Sequence, residues 1–167
     1  MKRQMKHIAL HISLLISLLT LAACGSKVVI DDERTFEGNV WNRFSPEVFE
    51  IDLSNTDDYF NIDIAVSIDT ARFRYDILPL TVNLYSPGGE HRFFYADMPL
   101  KEKGRWKGEM TADGYRVVQR RVRPFFSFNG TGTHRIEIGQ GTSQYDLEGV
   151  RSVRLYIENT KVDYDDL

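Results

Sequence analysis

The chain has 167 residues, 42% of them apolar, with 21 Lys and Arg against 24 Asp and Glu and a formal net charge of −3. That balance carries no basic footprint for nucleic acid, and a single cysteine excludes both a disulfide framework and a Cys-based metal site. Residues 1–23 read as a signal peptide: Lys2, Arg3 and Lys6 form the positive start, Ile8 to Leu21 the apolar stretch, and Ala22-Ala23 the small-residue exit. The stretch falls short of the roughly 20 apolar residues that a membrane span needs. Leu21-Ala22-Ala23-Cys24 has the order of a lipobox, which predicts lipidation at Cys24 and removal of everything before it. Each buried methylene of an acyl chain contributes about 0.8 kcal/mol, so more than one chain anchors a protein firmly. What remains is 144 residues with a net charge of −6, enough for one domain with a sizeable core.

Residues 24–34 lack a sustained period and end in Asp31-Asp32-Glu33, which predicts a lipidated tether of some 30 Å with an acidic end. Val28-Val29-Ile30 separates Lys27 from those acids, a departure from the surface-export pattern of lysine followed directly by acidic residues, which makes the periplasmic side the expected one. From residue 35 to 160 the period is two. Phe49, Ile51 and Leu53 alternate with acids, Phe60 to Ile68 alternate with Asn61, Asp63, Ala65 and Ser67, and Leu80, Val82 and Leu84 run into Ser86-Pro87-Gly88-Gly89 before His91 to Tyr95 returns. Trp106 lies on a short strand between Gly104 and Gly108, and Pro124 must interrupt the strand from Tyr115 to Phe128 or place it at an edge. Gly130-Thr131-Gly132 is a further turn, followed by Ile136 and Ile138 and by a last strand with Val153, Leu155 and Ile157. About eight short strands without a helical period predict an all-β chain, an antiparallel β-sandwich of jelly-roll or Ig-like type, ending in an acidic tail over residues 161–167.

Residues that could carry chemistry are sparse. After processing His91 and His134 are the remaining histidines, without zinc-ligand spacing, and neither a nucleophile elbow nor a phosphate-cradling glycine loop is present. Asp57-Asp58 and Asp163 to Asp166 lack the spaced oxygen ligands of a calcium loop. No cofactor, no metal and no catalysis are expected. Trp41, Tyr59, Tyr75, Trp106 and Tyr115 are candidates for a ligand or partner surface, and they would favour glycan stacking if two or more shared one open face.

Several ordered motifs resemble the GldH gliding-motility lipoproteins of Bacteroidota. They are Asn39-Val40-Trp41, Phe73-Arg74-Tyr75, Pro87-Gly88-Gly89, Gly104-x-Trp106-x-Gly108, Gly132 to Gln140, and Leu147-x-Gly149-Val150 running on to Val153, Leu155, Ile157 and Glu158. The resemblance implies an outer-membrane lipoprotein that supports the gliding machinery alongside type IX secretion, with envelope proteins as its partners. Asp69-Thr70-Ala71 is similar to the Bacteroidota O-glycosylation tripeptide, which would make Thr70 the modified residue, whereas Asn129-Gly130-Thr131 reads as a turn. The competing expectation is a carbohydrate- or ligand-binding β-sandwich of the envelope.

Overall fold

The computed structural model describes residues 27–56 and 58–160. The expected signal peptide, Cys24 and the acidic tail lie outside the described residues. Thirteen strands are found among the described residues: β1 (Val28–Thr35), β2 (Val40–Asn42), β3 (Glu47–Leu53), β4 (Tyr59–Ile68), β5 (Ile77–Tyr85), β6 (His91–Pro99), β7 (Lys101–Glu102), β8 (Arg105–Trp106), β9 (Glu109–Met110), β10 (Arg116–Phe126), β11 (Gly132–Gln140), β12 (Asp146–Glu148) and β13 (Val150–Thr160). One sheet has the order β1-β13-β4-β10-β9 and the other β3-β11-β5-β6, and the pairs β12-β2 and β7-β8 form small ribbons. All pairings are antiparallel. The all-β expectation holds, and the architecture agrees with a β-sandwich.

The period of two explains the packing. Phe49, Ile51 and Leu53 of β3 and Leu78, Leu80, Val82 and Leu84 of β5 face inward, against Phe60, Ile62, Ile64, Val66 and Ile68 of β4. Strand β4 lies between β13 and β10 and is buried on both faces, although Asn61, Asp63 and Ser67 of its outward side are polar. Asp63 there accepts hydrogen bonds from Arg121 Nε at 2.8 Å and Gln119 Nε2 at 3.1 Å, and Arg121 continues to Glu158 at 2.8 Å. The bond to Asp63 holds the Arg121 guanidinium above its ordinary pKa. Desolvation, reinforced by Glu158, pushes the Tyr156 phenol up. The outward face is largely polar, with its inner strand covered by long side chains.

The tether expected over residues 24–34 is corrected from Val28 onward. Strand β1 pairs with β13 from Val28 opposite Glu158 to Thr35 opposite Ser152, with a bulge between Val28 and Ile30. The acids of this segment have partners within the fold. Arg154 binds Asp31 through both oxygens and holds its carboxyl below the usual range, Arg34 donates to Asp32 at 2.6 Å, and Ser152 bonds to Glu33. Asp32 sits opposite Leu155, an inward position, so this edge strand carries the inward charge that discourages pairing with another chain.

On the opposite side of the sandwich, arginines close the gap between β10 and β6. Arg120, opposite Ile64, donates to the Asp97 carbonyl, the Arg123 guanidinium lies 4.1 Å from the Phe94 ring centroid, and Arg92 donates to the Ser127 carbonyl at 2.9 Å. Pro124 falls where the β10–β4 register shifts, between Arg123 and Phe126, beyond the two residues that pair with β9. The expected placing of this proline at an interrupted, edge-like stretch is what the fold adopts.

Burial raises the pKa of Glu47 in β3, and the nearby Arg34 opposes this. A carboxyl raised in the folded state adds stability below its ordinary value of 4.5, and that contribution is lost as pH rises through the folded value. Glu47→Gln is therefore expected to stabilise the protein by about 0.5 kcal/mol at pH 7 and to be neutral near pH 3. Denaturant melts at the two pH values check the sign.

Candidate docking surface

The strand ends define two poles. The chain enters β1 at Val28, level with Glu158 of β13, and β1 runs about 23 Å to Thr35 at the usual strand rise. Beyond Thr35 lies a 3-10 turn over Glu37–Asn39 and then the β2–β12 ribbon, so that ribbon crowns the pole remote from the entry point.

Of the aromatic residues expected to form a ligand or partner surface, Trp41 is removed by burial. Trp41 is completely buried at the remote pole, stacked on Phe36 at 4.7 Å, with its indole N–H donated to the Ser45 carbonyl at 3.3 Å. It is scaffold, because its place in β2 opposite Leu147 plugs the end of the core. Trp106 is partly buried against the core, 6.4 Å from Phe73, with Lys101 Nζ 4.5 Å from its ring. Tyr75 packs edge-on against the same Phe73, while Tyr59 sits at the other pole. The Tyr115 hydroxyl accepts from Asn39 and its ring lies 4.3 Å from Arg151. Tyr75 and Trp106 thus flank Phe73 at one place, while Trp41, Tyr59 and Tyr115 have other surroundings. Thr70 follows β4 in a partly exposed turn, in which Asp69 accepts from the backbone N–H groups of Ala71, Arg72 and Phe73.

The two histidines have structural surroundings. His134 is buried, with each ring nitrogen 3.2 Å from a carbonyl oxygen, those of Gly132 and Asn129. His91 is exposed, stacks on Tyr85 at 4.6 Å and pairs with Asn83 at 2.8 Å. No group of three or more His, Cys, Asp or Glu that could hold a metal occurs among the described residues.

An aromatic ridge stands instead on the outer face of the four-stranded sheet. In β6, Phe94, Ala96 and Met98 point into the core, which turns Phe93 and Tyr95 outward with 48% and 68% of their surfaces exposed. Their rings meet edge to face at 4.8 Å. Phe93 lies opposite Asn83 and Tyr95 opposite Thr81 in β5, while the next outward pair along the strands is the stacked Tyr85 and His91. Arg135 of β11 extends the band, 5.5 Å from the Tyr85 ring and paired with Glu137. Below the ridge a cavity of about 190 Å³ is lined by Tyr95, Asp97, Arg120 and Arg123. A second exposed aromatic pair, Phe44 and Tyr145 at 5.6 Å, tips the remote pole.

Sequence reasoning missed the ridge because Phe93-Phe94-Tyr95 reads as an unbroken aromatic run. The signal lay in the residues that follow: Ala96 and Met98 continue the inward set from Phe94, and Phe93 and Tyr95 are then left on the wet face.

Among the solved structures to which part of this chain is similar are two enzymes. A serine protease of Aeromonas sobria is 12% identical over 81% of this chain and 27% of its own, with a TM-score of 0.35. A family GH115 4-O-methyl-α-glucuronidase with specificity for decorated arabinogalactans is 15% identical over 83% of this chain and 16% of its own, with a TM-score of 0.37. The chain thus spans less than a third of either protein, and likeness at these scores carries no argument about function. No curated protein matches it. The model of the GldH lipoproteins, by contrast, matches residues 28–157, from the first residue of β1 to Ile157 in β13 and so across both sheets. The chain belongs to the GldH lipoprotein family.

Proposed function

We propose that this protein is an outer-membrane lipoprotein, acylated on Cys24, that serves the gliding-motility machinery and its associated type IX secretion as a non-catalytic docking module facing the periplasm. Family membership supports the membrane anchor and the link to gliding. The observation that carries the docking reading is the Phe93–Tyr95 ridge, an exposed aromatic pair on a rigid sheet flanked by Arg135, which is the composition that dominates binding energy at protein interfaces. Large exposed apolar side chains in contact with each other mark contact sites more often than scattered ones do. The ridge suits a protein better than a sugar, since its two rings meet edge to face and do not form one flat platform.

The expected result of replacing both residues, Phe93→Asp with Tyr95→Asp, is at least a tenfold loss of envelope proteins recovered by in-cell crosslinking and affinity capture, with membrane attachment intact. Asp is disfavoured in strands by up to about 1 kcal/mol per position, which leaves the protein folded, and the melting curve serves as the control. Unchanged recovery would remove the ridge from the account. Recovery of glycans or polysaccharide-uptake proteins alone would replace the docking module with a carbohydrate-binding one.

A further inference from the structure

The corrected start of β1 places the domain much closer to the membrane than an eleven-residue tether would. This inference rests on the acylation of Cys24 proposed above. From Cys24 to Val28 the chain can reach at most about 14 Å. The headgroup layer of one leaflet takes up roughly 5–7 Å of that, because a bilayer is about 30 Å thick in its hydrocarbon and 40–45 Å overall. That leaves at most about 7–9 Å between the headgroup surface and Val28, so the entry pole of the sandwich is held close to the lipid.

The entry pole has a surface suited to that position. Val28 is half exposed and lies opposite Glu158, Glu158 lies opposite Asn61, and Asn61 Oδ1 accepts the Phe125 backbone N–H at 3.3 Å. Val28 and Phe125 thus stand at one level of the five-stranded sheet, with Tyr59 one step nearer the end, opposite Thr160. Phe125 is 58% exposed and adopts φ 49°, a left-handed conformation that non-glycine residues rarely take, so the fold holds a phenyl ring outward at some expense. Amphipathic and aromatic side chains of this kind settle at the membrane–water boundary. The neighbouring turns are mostly uncharged, with Pro87, Gly88 and Gly89 on one and Asn129, Gly130 and Thr131 on the other. They adjoin each other through the Asn129–Glu90 bond. Asp52 and Asp58 face Lys27 around a cavity beside Val28, a mixed-sign rim that favours zwitterionic over anionic lipid.

We infer that the entry pole rests on the bilayer surface, with Phe125, Tyr59 and Val28 as its contacts with zwitterionic lipid. The ridge and the Phe44–Tyr145 tip are then presented sideways and away from the membrane.

The test uses the mature protein purified from its native envelope and placed in phosphatidylcholine vesicles that carry a headgroup-level nitroxide quencher. With Cys24 acylated, an introduced cysteine is the single labelling point, and a fluorophore is placed either at Thr131→Cys or, at the remote pole, at Phe44→Cys. Quenching at position 131 is expected to exceed that at 44 by at least threefold, and Phe125→Asp is expected to halve it while the melting curve and β-sheet circular dichroism stay the same. Equal quenching at both positions in protein that floats with the vesicles would overturn the inference and leave the anchor standing. Quenching at 131 that is indifferent to Phe125→Asp would overturn the aromatic contact. Protein that fails to float would overturn the acylation reading, and this inference with it.

Discussion

Trp41→Ala is expected to lower the unfolding free energy by about 3–5 kcal/mol, the range for deleting a fully buried large aromatic. For a domain of this size that is a fall in melting temperature of about 10 °C or more. Trp41 sits in a three-residue strand paired with β12 and is the one fully buried side chain of that strand. Its stacking on Phe36, its bond to Ser45 and its contact with the core tie the β2–β12 ribbon to the sandwich. Trp41→Phe, which keeps ring contact and loses only the N–H donor and some volume, should recover more than half of the loss. A thermal melt of the two variants decides the matter, and an alanine variant within 1 kcal/mol of the native protein would mean that the ring is not scaffold.

Gly149→Ala is the second large effect, expected at about 2–4 kcal/mol. Gly149 has φ +85°, which alone costs an alanine about 1–2 kcal/mol. The added Cβ would also fall 2.5 Å from the Phe73 backbone nitrogen and 2.9 Å from its Cα, atoms that cannot swing aside. The same glycine donates its N–H to the Asn39 carbonyl at 2.8 Å and accepts from Asp69 at 2.9 Å, so three segments converge on it. Gly38→Ala supplies the contrast: φ is +63° but nothing lies within 4 Å of the added carbon, and only the conformational cost should appear. If both substitutions were equally mild, the close approach of Phe73 would have no energetic weight.

How much of this was legible in the residues depended on the length of each alternating run. Phe49-Ile51-Leu53, Phe60 to Ile68 and Leu80-Val82-Leu84 announce β3, β4 and β5 because each has three or more apolar side chains on one face. Strands β2, β7, β9 and β12 have two or three residues, too few for any period to show, and they exist because the sandwich around them positions their backbones. Strand β1 was hidden by its chemistry: Asp31-Asp32-Glu33 resembles a solvated linker until Arg154, Arg34 and Ser152, two of them over a hundred residues away in β13, are seen to meet it. The aromatic candidates divided along the same line. Burial of Trp41 is a tertiary property that its neighbours in sequence do not encode, whereas the outward turn of Phe93 and Tyr95 follows from Phe94, Ala96 and Met98 once that strand's inward face is chosen.

Docking through the ridge is tested most directly by placing a photocrosslinking amino acid at position 95 of the acylated protein in living cells. The same group at position 154, on the outer face of the other sheet, is the comparison. Crosslinks from position 95 to gliding or type IX secretion components, several-fold above those from 154 and lost with Cys24→Ala, are the predicted result. Crosslinks of such components from 154 with none from 95 would contradict it and move the interface to the opposite face.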